Sequence, residues 1–453
     1  MKNKKSLLYI ITIVGLVSIL ALLWFLVLNN SSSNSNNNGN NGPGGTPPGG
    51  NPGGSSNVSY SASKEITTSE DLTSGDYSSS ESDQNAISVS GNIKSSLSNI
   101  TVTKTGDSDG GDNTSFYGTN SAIIAKSGAT VNITNANITT DANGANGVFS
   151  YGGSATTNNS NNDGTTVNIS DSTITTSKNN SGGIMTTGGG VMNATNLTIT
   201  TAGTSSAAIR SDRGGGTVTV DKGTYKTTGK GSPAIYSTAD ITVKNATLIA
   251  TASEGVVIEG KNSVNLENVE LTDTNNTLNG QSTTYKNIFL YQSMSGDAAN
   301  GEATFTAKNS KITTNKGDSF YVTNTTATIN LENNEIINND STGYFLRIQK
   351  DSWGNSGSNG GTVTLNLISQ KANGNIVVDS ISTLTMNMTS SNYEGAINTD
   401  NTAKSIVLKL DSSSTIKLTG NSYVTSLEDS DSTYSNIDLN GYKLYVNGKE
   451  LTK

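Results

Sequence analysis

From about Ile87 onward, apolar residues occupy alternate positions in short runs, and each run is closed by a small polar turn. A period of two is the signature of half-buried β-strands, not of helices. The pattern also returns at the scale of the whole chain. The stretch from Thr130 to Ile138, with Val131, Ile133 and Asn135, is repeated from Thr166 to Ile174, with Val167, Ile169 and Asp171. It returns around Asn245, Asn268 and Asn333, and in weaker copies around Asn99, Asn196, Lys222 and Asn309. A third short apolar run follows each unit, as at Ala122–Ile124, Gly147–Phe149, Ala208–Arg210, Ala234–Tyr236 and Gly255–Val257.

The register positions 171, 196, 222, 245 and 268 are 25, 26, 23 and 23 residues apart. That spacing predicts one three-strand coil per repeat and a right-handed parallel β-helix. Longer intervals, 36 residues around 99–171 and 41 between 268 and 309, read as coils carrying extra loop. An antiparallel sandwich would instead place Asn-Gly or Asp-Gly turns every 8–12 residues, roughly. Such dipeptides do not occur at the repeating turn. The expectation is roughly eleven to thirteen coils at ~4.8 Å each, a rod about 55–60 Å long. Val131, Ile133, Val167, Ile169, Val218, Val220, Val264 and Leu266 should point inward as a narrow aliphatic core. The recurring asparagines should sit in equivalent left-handed turns and bond coil to coil. Residues 58–411 form the helix with its N-terminal cap, and 412–453 should cover its other end.

The first 57 residues are of another kind. Ser6 to Leu28 is 23 positions without a charge, preceded by Lys2, Lys4 and Lys5. At 1.5 Å per residue this is about 35 Å of helix, enough for a single span with a cytoplasmic N-terminus. A cleaved signal peptide, leaving a secreted protein, is the rival reading, but its apolar stretch would usually be shorter and end in a small-x-small site. Residues 29–57 are rich in Ser, Asn, Gly and Pro and read as a tether reaching roughly 30 Å r.m.s..

Composition narrows the chemistry. Ser, Thr and Asn fill 186 positions, while hydrophobic residues make up 32%, too few for a thick globular core. There is no cysteine and no histidine, which removes thiolate and histidine metal sites and His-dependent nucleophilic triads. Beyond the three N-terminal lysines, 25 basic residues face 36 acidic ones, which speaks against nucleic acid as a partner.

Several longer phrases carry a resemblance. They are Lys104–Asp107, Phe116–Ala122, Ser206–Gly216, Ser232–Asp240, Val257–Ser263, Tyr291–Asp297 and Trp353–Gly361. Over about residues 60–440 the chain resembles a family of exported, largely uncharacterised β-helix proteins of Gram-positive bacteria with pectin-lyase-like architecture. The resemblance implies an adhesin-like, carbohydrate-binding surface protein. It does not by itself imply lyase chemistry.

Candidate chemistry gathers on the third strand of each coil. Its outward column reads Ile124, Phe149, Met185, Arg210, Tyr236, Val257, Phe289 and Tyr321, an apolar stripe interrupted by an arginine. Insertions follow that strand at 152–165, 292–302 and 349–361, so a loop-rich flank is expected. The stripe either offers faces to sugar rings or is buried beneath those loops. Arg210, Asp212 and Arg213 are the sharpest cluster, since Arg347 is the only other arginine. Arg210, Arg213, Asp212, Tyr236, Glu259 and Phe289 are therefore the candidate ligand contacts, for a polysaccharide or cell-surface glycan, an acidic one in particular. Asp212 and Glu259 share a column two coils apart, about 9.6 Å, which is also compatible with a polysaccharide lyase or glycoside hydrolase. A surface ion-pair network and a passive spacer are the blander readings. No cofactor is required. Asp107, Asp109 and Asp112 alternate with glycine in an insertion and are compatible with Ca²⁺. A tethered monomer is expected, its β-helix outside the cell.

Overall fold

The computed structural model describes residues 58–108, 111, 113–154, 162–278, 280 and 282–453. The predicted membrane span and the tether lie outside the described residues. Among the described residues no helix is long and apolar enough to cross a membrane.

The strands stack as the repeat predicts. Twelve third-position strands, from Ala62–Ile66 through Ile209–Ser211, Ile235–Ser237 and Val256–Glu259 to Ile376–Val378, pair side by side in one parallel sheet. The first and second strands of the coils form a second, larger parallel sheet, except that from Lys371–Asn373 to Ile437–Asp438 the second strands form a separate four-stranded sheet. Among the described residues only the terminal pair Leu444–Val446 with Lys449–Glu450 runs antiparallel. The parallel ladder continues past residue 411, since Ser426–Asp429 pairs with Ser405–Leu410. Helix is confined to one π-helical turn, Asn113–Tyr117, among the described residues.

Register is strict. Val131 lies opposite Val167, and Val167 opposite Met192 on the next coil. The inward residues Val131, Val167, Val220 and Val264 are each 0% exposed. The turn between the first two strands takes a left-handed residue in coil after coil: Asn99, Asn135, Asp171, Asn196, Asn245, Asn268, Asn309 and Asn333 have φ between 49° and 56°. Asparagine suits that turn, because its side chain offsets the left-handed penalty with local hydrogen bonds. The amides also climb the stack. Asn135 Nδ2 donates to Asn99 Oδ1 at 2.7 Å, Asn196 to Asp171 at 2.7 Å and Asn333 to Asn309 at 2.8 Å. A second ladder, not foreseen from the sequence, runs along the outer face through Asn132, Asn168 and Asn193, each bond 2.9 Å.

Two expected outcomes follow. Leu266→Ala should leave a core cavity and cost about 2–5 kcal/mol. Asn245→Ala should cost about 1–3 kcal/mol, from the left-handed penalty plus the bonds to Asp221 and from Asn268. Urea or thermal unfolding measures both, and an unshifted Asn245→Ala midpoint would show the ladder to be incidental.

Candidate functional site

The predicted outward column exists. Ile124, Phe149, Met185, Arg210, Tyr236, Val257, Phe289 and Tyr321 are successive Cα partners across the third-strand sheet. Its two ends are covered. Ile124, Phe149 and Met185 form one satellite core, packed against Tyr60 and Tyr151. Val257, Phe289, Tyr291 and Tyr321 form another, closed by Tyr236 and Trp353. Phe289 is only 3% exposed, stacked on Tyr291 at 4.4 Å and 16°. Its ring is therefore packing, and it meets solvent only at the back of a depression.

Between the two covered ends the stripe stays open. A cleft of about 350 Å³ lies over Arg210 and Tyr236, walled by Ser115 and Phe116 on one side and by Tyr291 and Asp297 on another. Asp212 and the edge residues Asn180 and Ser205 complete its polar rim. The phrases that carry the resemblance, at 116–122, 206–216, 232–240 and 291–297, all contribute residues to this cleft.

Charges in the cleft are matched pair by pair. Arg210 Nη2 donates to Asp212 Oδ2 at 3.0 Å and to Ser115 Oγ at 3.3 Å. Arg213 Nη2 donates to Asp297 Oδ1 at 2.8 Å, and its guanidinium lies over the Phe116 ring at 4.0 Å. Arg213 Nε is buried without an acceptor. Ser295 Oγ donates to Asp297 Oδ2 at 2.9 Å and orients that carboxylate. The arginines are thus not free to seek a ligand carboxylate, unlike the expectation from the sequence. Arg213 also joins loops 84 residues apart, so it supports the local structure as well as lining it.

Glu259 sits lower in the wall. It is 1% exposed, and Oε2 accepts from the Tyr236 hydroxyl at 2.6 Å and the Tyr291 hydroxyl at 2.9 Å. Ser293 Oγ donates to Oε1. Burial first, and then the Glu259 charge, raise the Tyr236 and Tyr291 phenols well above their ordinary value, so both remain donors. Glu259 is sealed by these hydroxyls and, unlike Asp212, is not part of the cleft lining. The carboxylate that joins Asp212 in the lining is Asp297. Sequence reasoning missed Asp297, Ser293 and Ser295, whose only signal was the alternating polar phrase inside an insertion.

Of the proposed calcium residues, Asp109 and Asp112 lie outside the described residues. Asp107 Oδ1 accepts from the Asn143 amide of the next coil at 2.7 Å, a coil-to-coil bond. Among the described residues no group of three or more acidic side chains gathers as a metal site would require.

No family model matches the chain, and no curated protein or solved structure matches it.

Burial pushes the Asp212 carboxyl up to about 6, against the pull of Arg210 and with a further push from Asp297. Between the ordinary value of 3.8 and about 6, the folded state holds a proton that the unfolded state has released. Stability from this group is therefore present at low pH and lost as pH rises through that window. Relative to Asp212→Asn, the wild type should lose up to about 3 kcal/mol across it and then level off. Paired unfolding curves at a series of pH values measure the difference. A wild type that gains stability relative to Asp212→Asn as pH rises would show the Arg210 ion pair to dominate instead.

Proposed function

We propose that the protein is an exported, membrane-tethered surface protein that holds a polysaccharide or cell-surface glycan in the cleft over Arg210 and Tyr236. The observation that carries this reading is a polar opening left in an otherwise covered apolar stripe. Loops bury the column on both sides, yet between them Arg210, Asp212, Asn180, Ser205 and Ser115 converge around the Tyr236 ring. Paired donors and acceptors beside an aromatic face suit the hydroxyls and the C–H face of a pyranose. The resemblance to Gram-positive adhesin-like β-helix proteins supports the same function. So does the apolar N-terminal span, which would anchor the chain with its β-helix outside the cell and act as the only membrane contact. Nucleic acid is disfavoured by the excess of acidic residues. We take the protein to act as a monomer without a cofactor.

A lyase or hydrolase using Asp212 is the second reading, favoured by the raised carboxyl of that residue in the cleft. Binding is preferred because Glu259, the expected second acid, is occupied by three hydroxyl donors. A passive spacer would have no need of a polar opening.

A glycan array, run with and without calcium, tests the reading. Tyr236→Ala should lower affinity for any glycan bound by tenfold or more, the loss of about 1.5–3 kcal/mol of ring contact. Tyr423→Ala, whose ring stacks on Tyr445 far along the chain, should leave it unchanged. Binding indifferent to Tyr236, or no binding to any glycan, would overturn the assignment.

A further inference from the structure

The cleft does not end at Tyr236. A second depression of about 270 Å³ adjoins it, and the two share Gly231, Pro233, Tyr236 and Tyr291 as lining. The second is lined by Val257, Phe289 and Trp353, with Glu254 at its edge. Because Arg210, Tyr236, Val257 and Phe289 are Cα partners on four successive coils, the trough runs from coil to coil. Its floor therefore spans about 14 Å at the usual interstrand spacing. One half is polar and the other aromatic, with Tyr236 between them. A trough of this length and division fits two or more rings in a row better than one.

The charges decide which rings. Among the described residues the lining of both depressions holds one cation, Arg210, against three carboxylates, Asp212, Asp297 and Glu254. Each carboxylate already has its cation: Arg210 at 3.0 Å, Arg213 at 2.8 Å and Lys286 at 3.8 Å respectively. Lys286 is 0% exposed and held by Ser282 Oγ at 2.9 Å and the Thr284 carbonyl at 2.8 Å. A uronate would meet three carboxylates and find no free cation. To reach a guanidinium it would have to break a buried pair and strand the carboxylate left behind. A hydroxyl asks for no such exchange, since it can accept from an arginine and donate to an aspartate at once.

We propose that the ligand of this trough is an uncharged oligosaccharide of at least two sugar units, laid across successive coils, and that acidic chains are excluded. The inference rests on the glycan-binding reading above. Calorimetry tests it with uncharged gluco-, xylo- and manno-oligosaccharides from one to six units, beside oligogalacturonides and glucosamine oligomers of the same lengths. In at least one uncharged series, affinity should rise tenfold or more from one unit to three. The charged chains should bind at least tenfold more weakly than the best uncharged trimer. Trp353→Ala should flatten the dependence on length while Tyr423→Ala preserves it. Oligogalacturonides or glucosamine oligomers binding as tightly as that trimer would overturn the proposal and leave glycan binding standing. So would a monosaccharide that binds as well as its trimer. If none of the sugars binds, the glycan reading itself fails and this inference with it.

Discussion

Everything in this structure follows from in-register stacking of coils by parallel backbone hydrogen bonds. Each residue on a strand has the same neighbours above and below, about 4.8 Å away. A column is therefore a one-dimensional chemical environment, and a side chain that suits one coil suits the next. Aliphatic columns become the core, and asparagine columns become ladders. Charge follows the same rule by alternation. Glu254, Lys286 and Asp318 stand at equivalent positions on three successive coils, and Arg347 closes the row by bonding to Asp318. Like charges at that spacing would repel in a poorly hydrated wall, whereas alternating signs let each group neutralise the next. Lys286 adds aromatic partners, lying 4.4 Å from the Phe289 ring centroid and 5.0 Å from that of Tyr321.

Repetition also limits what the solenoid can do alone. A column of equivalent residues makes a uniform surface, not a site. The individuality of this chain comes from insertions that leave the repeat and fold back onto the third-strand face. One brings Ser115 and Phe116 over Arg210 and Arg213, across 95 residues in the case of the Arg210–Ser115 bond. Another brings Ser293, Ser295 and Asp297. Where these loops meet apolar residues they bury them, and where they meet the arginines they leave a cleft.

That division explains how much was legible in the sequence. The repeat could be read because each coil is an independent copy of the same constraint. The left-handed asparagines, the inward valines and the outward column from Ile124 to Tyr321 all stand where their spacing put them. The contacts of Arg213 could not be read, because Asp297 lies in an insertion that follows no period. Phe289 shows the same gap. Its outward position was evident, but its covering by Trp353 depends on where an aperiodic loop lands. The outer Asn132–Asn168–Asn193 ladder lies on exposed strand positions, where spacing alone does not tell a bonded amide from a solvated one.

The cleft also bears on why charge was placed there at all. The neighbouring positions of the same column are Met185, which is 0% exposed, and Tyr236, which packs against the core of Val257 and Phe289. An aliphatic residue at position 210 would have joined the two satellite cores into one continuous cover. Replacing a buried ion pair with apolar residues is often neutral or stabilising by about 1–4 kcal/mol. Arg210 with Asp212 is thus a buried pair standing where an apolar residue could have stood. Asp212 pays for the position with a raised carboxyl, since burial disfavours its charged form more than Arg210 favours it. Asp212 is a group held against its own solvation, beside the polar cleft in that stripe.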